Sequence, residues 1–300
     1  MVEGKPSATA ELIALSAVFL SRTKNAARLL PPGSADLSAR FLAASAPIKL
    51  AIARLLATPV LRGVVSLVER LLLPGMQLHY AARKRFIEDG LRQFLADGGR
   101  QVVVLGAGYD TLATRIALER PDVFCVEIDH PATQGRKRLA VEGVAPGNLE
   151  FVAADLSRAA VGETVRAAAR FKPGAGAFFV LEGVTMYLSE AVVAGTLRAC
   201  RAVGGEGTRI AWTFMQPDER GKIAFRQSRQ GLINAWLSMK REPFTWGIAP
   251  EAIPSFLTPL GLGVREIAGA DQLRERYLTP LGLTGLLAEG EAICLAEARP

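Results

Sequence analysis

Residues 101–300 predict an α/β fold, a doubly wound, seven-stranded and mostly parallel sheet with helices on both faces. Two observations carry this expectation. Short apolar runs alternate with helix-sized segments from residue 101 onward, and the first four runs each end in glycine or an acid. Ahead of them, residues 1–99 are rich in alanine and leucine, with breaks at Pro31-Pro32-Gly33 and Leu73-Pro74-Gly75, and so read as helices.

The last of these helices is MQLHYAARKRFIEDGLRQFLADGG, whose apolar residues recur near helical spacing until a glycine pair stops them. It leads into the strands QVVVLGAG (101–108), VFCVEID (123–129), LEFVAADL (149–156) and AFFVLEGV (177–184). These are continuous apolar runs, as expected of central parallel strands covered on both faces. TRIAWTFM (208–215), GVREIAG (263–269) and AICLAEA (292–298) complete the sheet. Right-handed crossovers then place ligands beyond the carboxyl ends of the strands. Residues 216–250 are too long for an ordinary connection and carry Phe225, Trp236, Phe244 and Trp246, which suits a helical lid insert. The chain thus divides into a helical N-terminal extension or cap, 1–78, and a sheet domain, 79–300, that contains the insert.

Composition narrows the class. Half the residues are apolar, enough for a sizeable core. Cys125, Cys200 and Cys294 lie in apolar runs at no metal-ligand spacing, so they read as reduced and buried in a cytoplasmic protein, with no metal expected. The N-terminus lacks a charged and then apolar leader pattern, so no secretion signal is expected. Residues 43–75 are the most apolar stretch, but Lys49, Arg54, Arg62 and Glu69 interrupt them well short of the roughly 20 residues a membrane span needs. They read as helices packed on the core, with a membrane-surface helix or an oligomer contact as alternatives. The net charge of +7 sits wholly in the first 100 residues, which hold 14 Lys and Arg against 7 Asp and Glu. Its charges are spread singly between apolar residues without an RNA-binding motif, so nucleic acid is not an expected partner. Monomer and homodimer both remain open.

The strand ends carry the chemistry. They present Gly106 and Gly108, then Glu127 and Asp129, then Asp155, then Glu182. An acid about 20 residues after the glycines can accept hydrogen bonds from both ribose hydroxyls, and Asp155 is placed to meet an adenine amino group. The third glycine of the dinucleotide motif is absent. The next helix opens Tyr109-Asp110-Thr111, and Asp110 would repel a pyrophosphate. A dehydrogenase is therefore disfavoured. An acidic crevice suits a ligand with a sulfonium, an ammonium group, a ribose and an adenine, which describes S-adenosyl-L-methionine.

QVVVLGAGYDT, FCVEIDHPATQGRKR, FVAADL and LEGVTMYL together resemble the leucine carboxyl methyltransferase family, from about Tyr80 to Leu188 and more loosely through FTWGIAPEAIPSFLTPLGL. The resemblance implies a Rossmann-like class I methyltransferase fold and an S-adenosylmethionine-dependent O-methyltransferase acting on a small molecule. By position it implies that Gly106 opens the cofactor turn, Asp129 holds the ribose, Asp155 and Leu156 flank the adenine, and Glu182 lies near the methionine part. An arginine of YAARKRFIE should pair with the cofactor carboxylate; Arg83 is the expected one and Arg85 the fallback.

Glu127 shares its strand face with Asp129 and could share the ribose. Tyr187 is a candidate contact near the methyl group. Of the two histidines, His130 reads as a turn residue and His79 as the one histidine to consider near the acceptor. Scarce histidine favours an acceptor that needs no strong base, a carboxylate or an acidic hydroxyl. Alternatives are a non-catalytic cofactor-binding module, or methylation of a protein C-terminal carboxylate or a modified tRNA.

Overall fold

The computed structural model describes residues 8–23, 25–72, 74–156, 159–226 and 244–299. Its strands are β1 (Gln101–Leu105), β2 (Phe124–Asp129), β3 (Leu149–Ala153), β4 (Phe178–Leu181), β5 (Arg209–Met215), β6 (Leu262–Ala268) and β7 (Glu291–Ala298). They form one sheet in the order β3-β2-β1-β4-β5-β7-β6. Strands β1 to β5 pair in parallel, and β7 enters antiparallel between β5 and β6. Each of the seven expected strands is present; β1, β3 and β4 stop short of their polar ends, and β7 starts one residue earlier, at Glu291.

Alternation along β1 shows why the apolar runs must be continuous. Val102 and Val104 join one core with Phe86, Leu91 and Ile116, while Val103 and Leu105 join the opposite core with Leu197, Trp212 and Leu257. Both faces of the strand are buried, so neither can be polar. Strand order reverses between β1 and β4, and that reversal opens a crevice at their carboxyl ends.

The flanking helices include α1 (Ala8–Leu20), α2 (Ser34–Ser45), α3 (Pro47–Leu56), α4 (Pro59–Leu72), α5 (Met76–Ala96), α6 (Leu112–Glu119), α7 (Pro131–Val141), α8 (Val161–Arg166) and α9 (Glu190–Gly204). Helices α1 and α2 roof the end of the sheet, where Val18, Phe41 and Leu42 bury against Tyr109 and Val141. Helix α5 runs across position 78, so the helical extension and the sheet domain share one continuous element. Helices α3 and α4 depart from the expectation of core packing: Ile52, Val60 and Leu67 are 50%, 84% and 57% exposed.

Of the 216–250 insert, Pro217 bridges to Ile223, and residues 244–249, outside helix and strand, lie beside the sheet. There Thr245 N–H donates to the Met186 carbonyl at 2.8 Å and Ile248 N–H to the Met215 carbonyl at 2.9 Å. Trp246 stacks on Trp212 with ring centres 6.0 Å apart. Trp236 and the expected lid helix fall outside the described residues.

Candidate active site

The first wall of the crevice is the turn after β1. Gly106 and Gly108 have φ of 68° and 50°, a region that side chains with a Cβ rarely adopt. A Cβ on Gly106 would stand 2.5 Å from Val184 Cγ2, and one on Gly108 would stand 3.1 Å from Ala10 of α1. The turn is therefore shaped for close approach of backbone, with Val184 on one side and the roof helix on the other.

Asp129 closes β2 directly opposite. Its Oδ2 accepts from Gly108 N–H and its Oδ1 from His130 N–H, both at 2.7 Å. Burial raises this carboxyl above the usual range, and the two N–H donors oppose that rise. His130 is a turn residue as expected: it caps α7, its Nδ1 accepting from Ala132 N–H at 3.3 Å, with Pro131 in the first helical turn. Gln134 ties α7 to the sheet by donating to the Glu127 and Val152 carbonyls at 2.8 and 3.0 Å.

Glu127 does not share this rim. It lies deeper, where Lys137 of α7 pairs with it at 2.5 Å, and both side chains are only 1% exposed. Burial pushes its carboxyl up to about 7, against the pull of Lys137. A carboxylate one pleat inside the sheet needs a cation more than a ligand, which is why the shared strand face does not translate into a shared role.

The second wall is a chain of charges along α5. Arg83 is 2% exposed. Its Nη1 donates to both oxygens of Glu291 at 2.9 and 2.8 Å, while Nε and Nη2 donate to Glu182 Oε1 at 3.0 and 2.7 Å. His79, one turn earlier, brings Nε2 to Glu291 Oε2 at 2.9 Å, and its buried Nδ1 meets no partner. Beside a carboxylate oxygen, Nε2 is the donor of this bond. Lys84 bonds Asp110 and reaches Glu182 Oε1 at 3.1 Å. Asp110 in turn accepts from Leu112 N–H at 2.5 Å at the start of α6.

The charge chain explains its own ionisation. Burial alone would raise Glu291, but Arg83 and His79 outweigh it and bring the carboxyl down to about 2. Burial likewise opposes the charge on Asp110, and Lys84 and Lys137 hold it below the usual range. Burial also raises the Tyr80 phenol, to about 12, under the Arg83 guanidinium 4.8 Å from its ring centre. The expectation of a simply negative rim is corrected here. Asp110, Glu182 and Glu291 are already bonded to Arg83, Lys84 or His79, because bare carboxylates at such depth cost too much free energy. Asp129 is held by backbone donors and, among the described residues, has no side-chain cation at hydrogen-bond distance.

Arg83 rather than Arg85 points into the crevice; Arg85 takes no part in these pairs. The four contacts with Glu182 and Glu291 occupy at most four of the five guanidinium N–H groups of Arg83, and Nη2, near Gly183, makes only one of them. Asp155 and Leu156 follow β3 and are half-buried. Leu156 approaches the glycine turn and lines a groove of about 380 Å³ with Val161 of α8 and Val192 of α9. Tyr187 lies past β4, its ring 5.7 Å from that of Phe244, in an apolar cluster with Met76, Met186, Met215 and Phe225. Sequence reasoning missed Glu291 and the inward course of Lys84 and Lys137. The one signal for Glu291 was an acid immediately before the apolar run AICLA.

These residues fit S-adenosylmethionine. The glycine turn admits close backbone contact, Asp129 offers acceptors at the end of β2, and Arg83 retains a donor. The carboxylates of Asp110, Asp129, Glu182 and Glu291 exceed the cations Arg83 and Lys84 among them.

Comparison with known proteins agrees. A protein of Saccharopolyspora erythraea, named for S-adenosyl-L-methionine-dependent methyltransferases with no substrate given, is 36% identical over 137 residues, 44% of this chain and 46% of that one. The similarly named YktD of Bacillus subtilis strain 168 is 36% identical over 80 residues, 26% of each chain. The chain thus aligns with less than half the length of these curated relatives. A crystal structure from Thermobifida fusca YX, titled as a methyltransferase, superposes with a TM-score of 0.56 at 15% identity, over 100% of this chain and 97% of that one, which shows the same Rossmann-like fold. Residues 23–201 match the family described as leucine carboxyl methyltransferase. The chain belongs to the leucine carboxyl methyltransferase family.

Proposed function

We propose that the protein is an S-adenosylmethionine-dependent O-methyltransferase that methylates a carboxylate or acidic hydroxyl on a small molecule. The observation that carries this reading is the Asp129 carboxylate, fixed by Gly108 and His130 N–H groups at the switch point between β1 and β4. Asp129 orients toward ribose hydroxyls, the glycine turn admits the chain between ribose and sulfur, and Asp155 with Leu156 borders the base. Arg83 offers its remaining Nη2 donor to the cofactor carboxylate while Glu182 and Glu291 hold its plane. Bound there, S-adenosylmethionine supplies an electrophilic methyl group for in-line displacement.

The protein's own share of catalysis is alignment and exclusion of water. His79 is committed to Glu291 and fully buried, and His130 caps a helix, so neither histidine suits the role of general base. Tyr80 remains a neutral phenol well above pH 7. An acceptor already ionised, or nearly so, at neutral pH needs none of them. The apolar cluster of Met76, Met186, Met215, Phe225 and Tyr187 favours an acceptor with a hydrophobic body, and Tyr187 is the proposed contact beside the methyl group. Transfer of labelled methyl to a panel of aromatic and fatty carboxylic acids and acidic phenols tests the reading. Labelled ester or ether is the expected product; binding of the cofactor with no transfer to any of these classes would favour a non-catalytic module.

A further inference from the structure

The geometry points to α3 and α4 as a docking surface for an anionic lipid bilayer, on which the protein sits without spanning it. Eight of the twelve large hydrophobic side chains exposed among the described residues lie between Ile48 and Leu71. On α4 they are Val60, Val64, Leu67, Val68 and Leu71, the i, i+4, i+7, i+8, i+11 spacing of a single helical face. On α3 they are Ile48, Ile52 and Leu55, again one face.

The polarity of α4 is inverted relative to an ordinary surface helix. Its outward face is apolar, while polar groups anchor the other side: Arg62 Nη1 donates to the Arg22 carbonyl at 2.6 Å, and Glu69 Oε1 accepts from Gln77 N–H at 3.2 Å. Burial raises the Glu69 carboxyl, consistent with a face turned toward protein. Helix α3 is docked from beneath through Leu50 and Ala53. Among the described residues no single helix is long and apolar enough to cross a membrane, and α3 meets α4 at 100°. At 10 and 14 residues the helices extend about 15 and 21 Å, short of a roughly 30 Å hydrocarbon core.

Charge selects the occupant. Between residues 8 and 72, Arg22, Arg28, Arg40 and Arg54 are exposed cations, Lys49 is exposed but paired with Glu11, and Asp36 is the one exposed acid among the described residues. A second copy docked across a two-fold axis would set this positive excess against itself. An anionic lipid surface attracts it, and insertion of the Val and Leu face adds apolar burial.

Co-sedimentation of the full chain with vesicles of phosphatidylcholine alone, and of phosphatidylcholine with about one quarter phosphatidylglycerol, tests the assignment. Binding to the anionic vesicles is expected, weakened by high salt, with little binding to neutral ones. Val64→Glu with Leu67→Glu should lower vesicle affinity by roughly tenfold or more, and Val60→Glu by less. Leu118→Glu, an exposed apolar site on α6, should leave it unchanged. Retained circular dichroism and S-adenosylhomocysteine binding establish that the variants fold. Three results each overturn the proposal: no partition onto anionic vesicles, equal partition onto neutral ones, or a solution dimer that the Val64/Leu67 pair dissociates without any vesicle binding.

Discussion

Replacing Glu291 by Gln isolates the buried charge chain behind the crevice. The substitution keeps the side-chain shape but removes the charge that takes two bonds from Arg83 Nη1 and one from His79 Nε2. Its amide also presents N–H groups to a guanidinium that needs acceptors. The folded protein lowers the Glu291 carboxyl from 4.5 to about 2. A fall of that size corresponds to roughly 3 kcal/mol of stability at pH 7. The sign follows from the direction. A carboxyl whose folded pKa is depressed contributes fully above its unfolded value, and the contribution drains away as pH falls through the folded value. The gap between wild type and Glu291→Gln should therefore be roughly 3 kcal/mol at pH 7, about 2 kcal/mol at pH 3.5, and close to nothing below pH 2. Urea unfolding of both proteins at pH 7 and pH 3.5 measures it. A gap under about 1 kcal/mol at pH 7, or one that does not narrow at pH 3.5, would refute the assignment of Glu291 as the ionised anchor of Arg83.

Asp129→Ala should weaken S-adenosylhomocysteine binding by about 1.5 to 3 kcal/mol, roughly ten- to a hundredfold, by calorimetry; a folded variant with unaltered affinity removes Asp129 from the site. Gly106→Ala forces a Cβ to within 2.5 Å of Val184 at φ 68° and should cost about 1–3 kcal/mol in thermal unfolding as well as cofactor affinity; a neutral outcome would show that the turn tolerates a side chain. Lys137→Met strands the buried Glu127 and should cost roughly 3–5 kcal/mol, whereas adding Glu127→Gln should restore much of it. Additive losses in that double-mutant cycle would mean the two groups do not act as a pair.

The sheet was legible because each central strand needs apolar residues on both faces, a constraint that leaves continuous runs such as VVVL and FFVL. The glycine turn and Asp129 were legible for a similar reason: local backbone geometry and a strand end confine what those residues can do. Glu291 was not, since it meets Arg83 across 208 positions of sequence and nothing local announces the pairing. Lys137 sits in a run of basic residues that reads as a solvated helix face, and only the placement of α7 over β2 turns it inward to Glu127. In α3 and α4 the apolar, charge-interrupted composition pointed to helices, but composition does not say which face turns to the protein. There the anchoring bonds of Arg62 and Glu69 decided the matter, against the usual preference.

What occupies the crevice between β1 and β4 decides the protein's chemistry. Calorimetric titration of the purified protein with S-adenosylmethionine, S-adenosylhomocysteine and NAD measures this directly. Saturable heat is predicted with the first two, lost in Asp129→Ala, and none with NAD. Saturable binding of NAD with no heat from either sulfur ligand would contradict it.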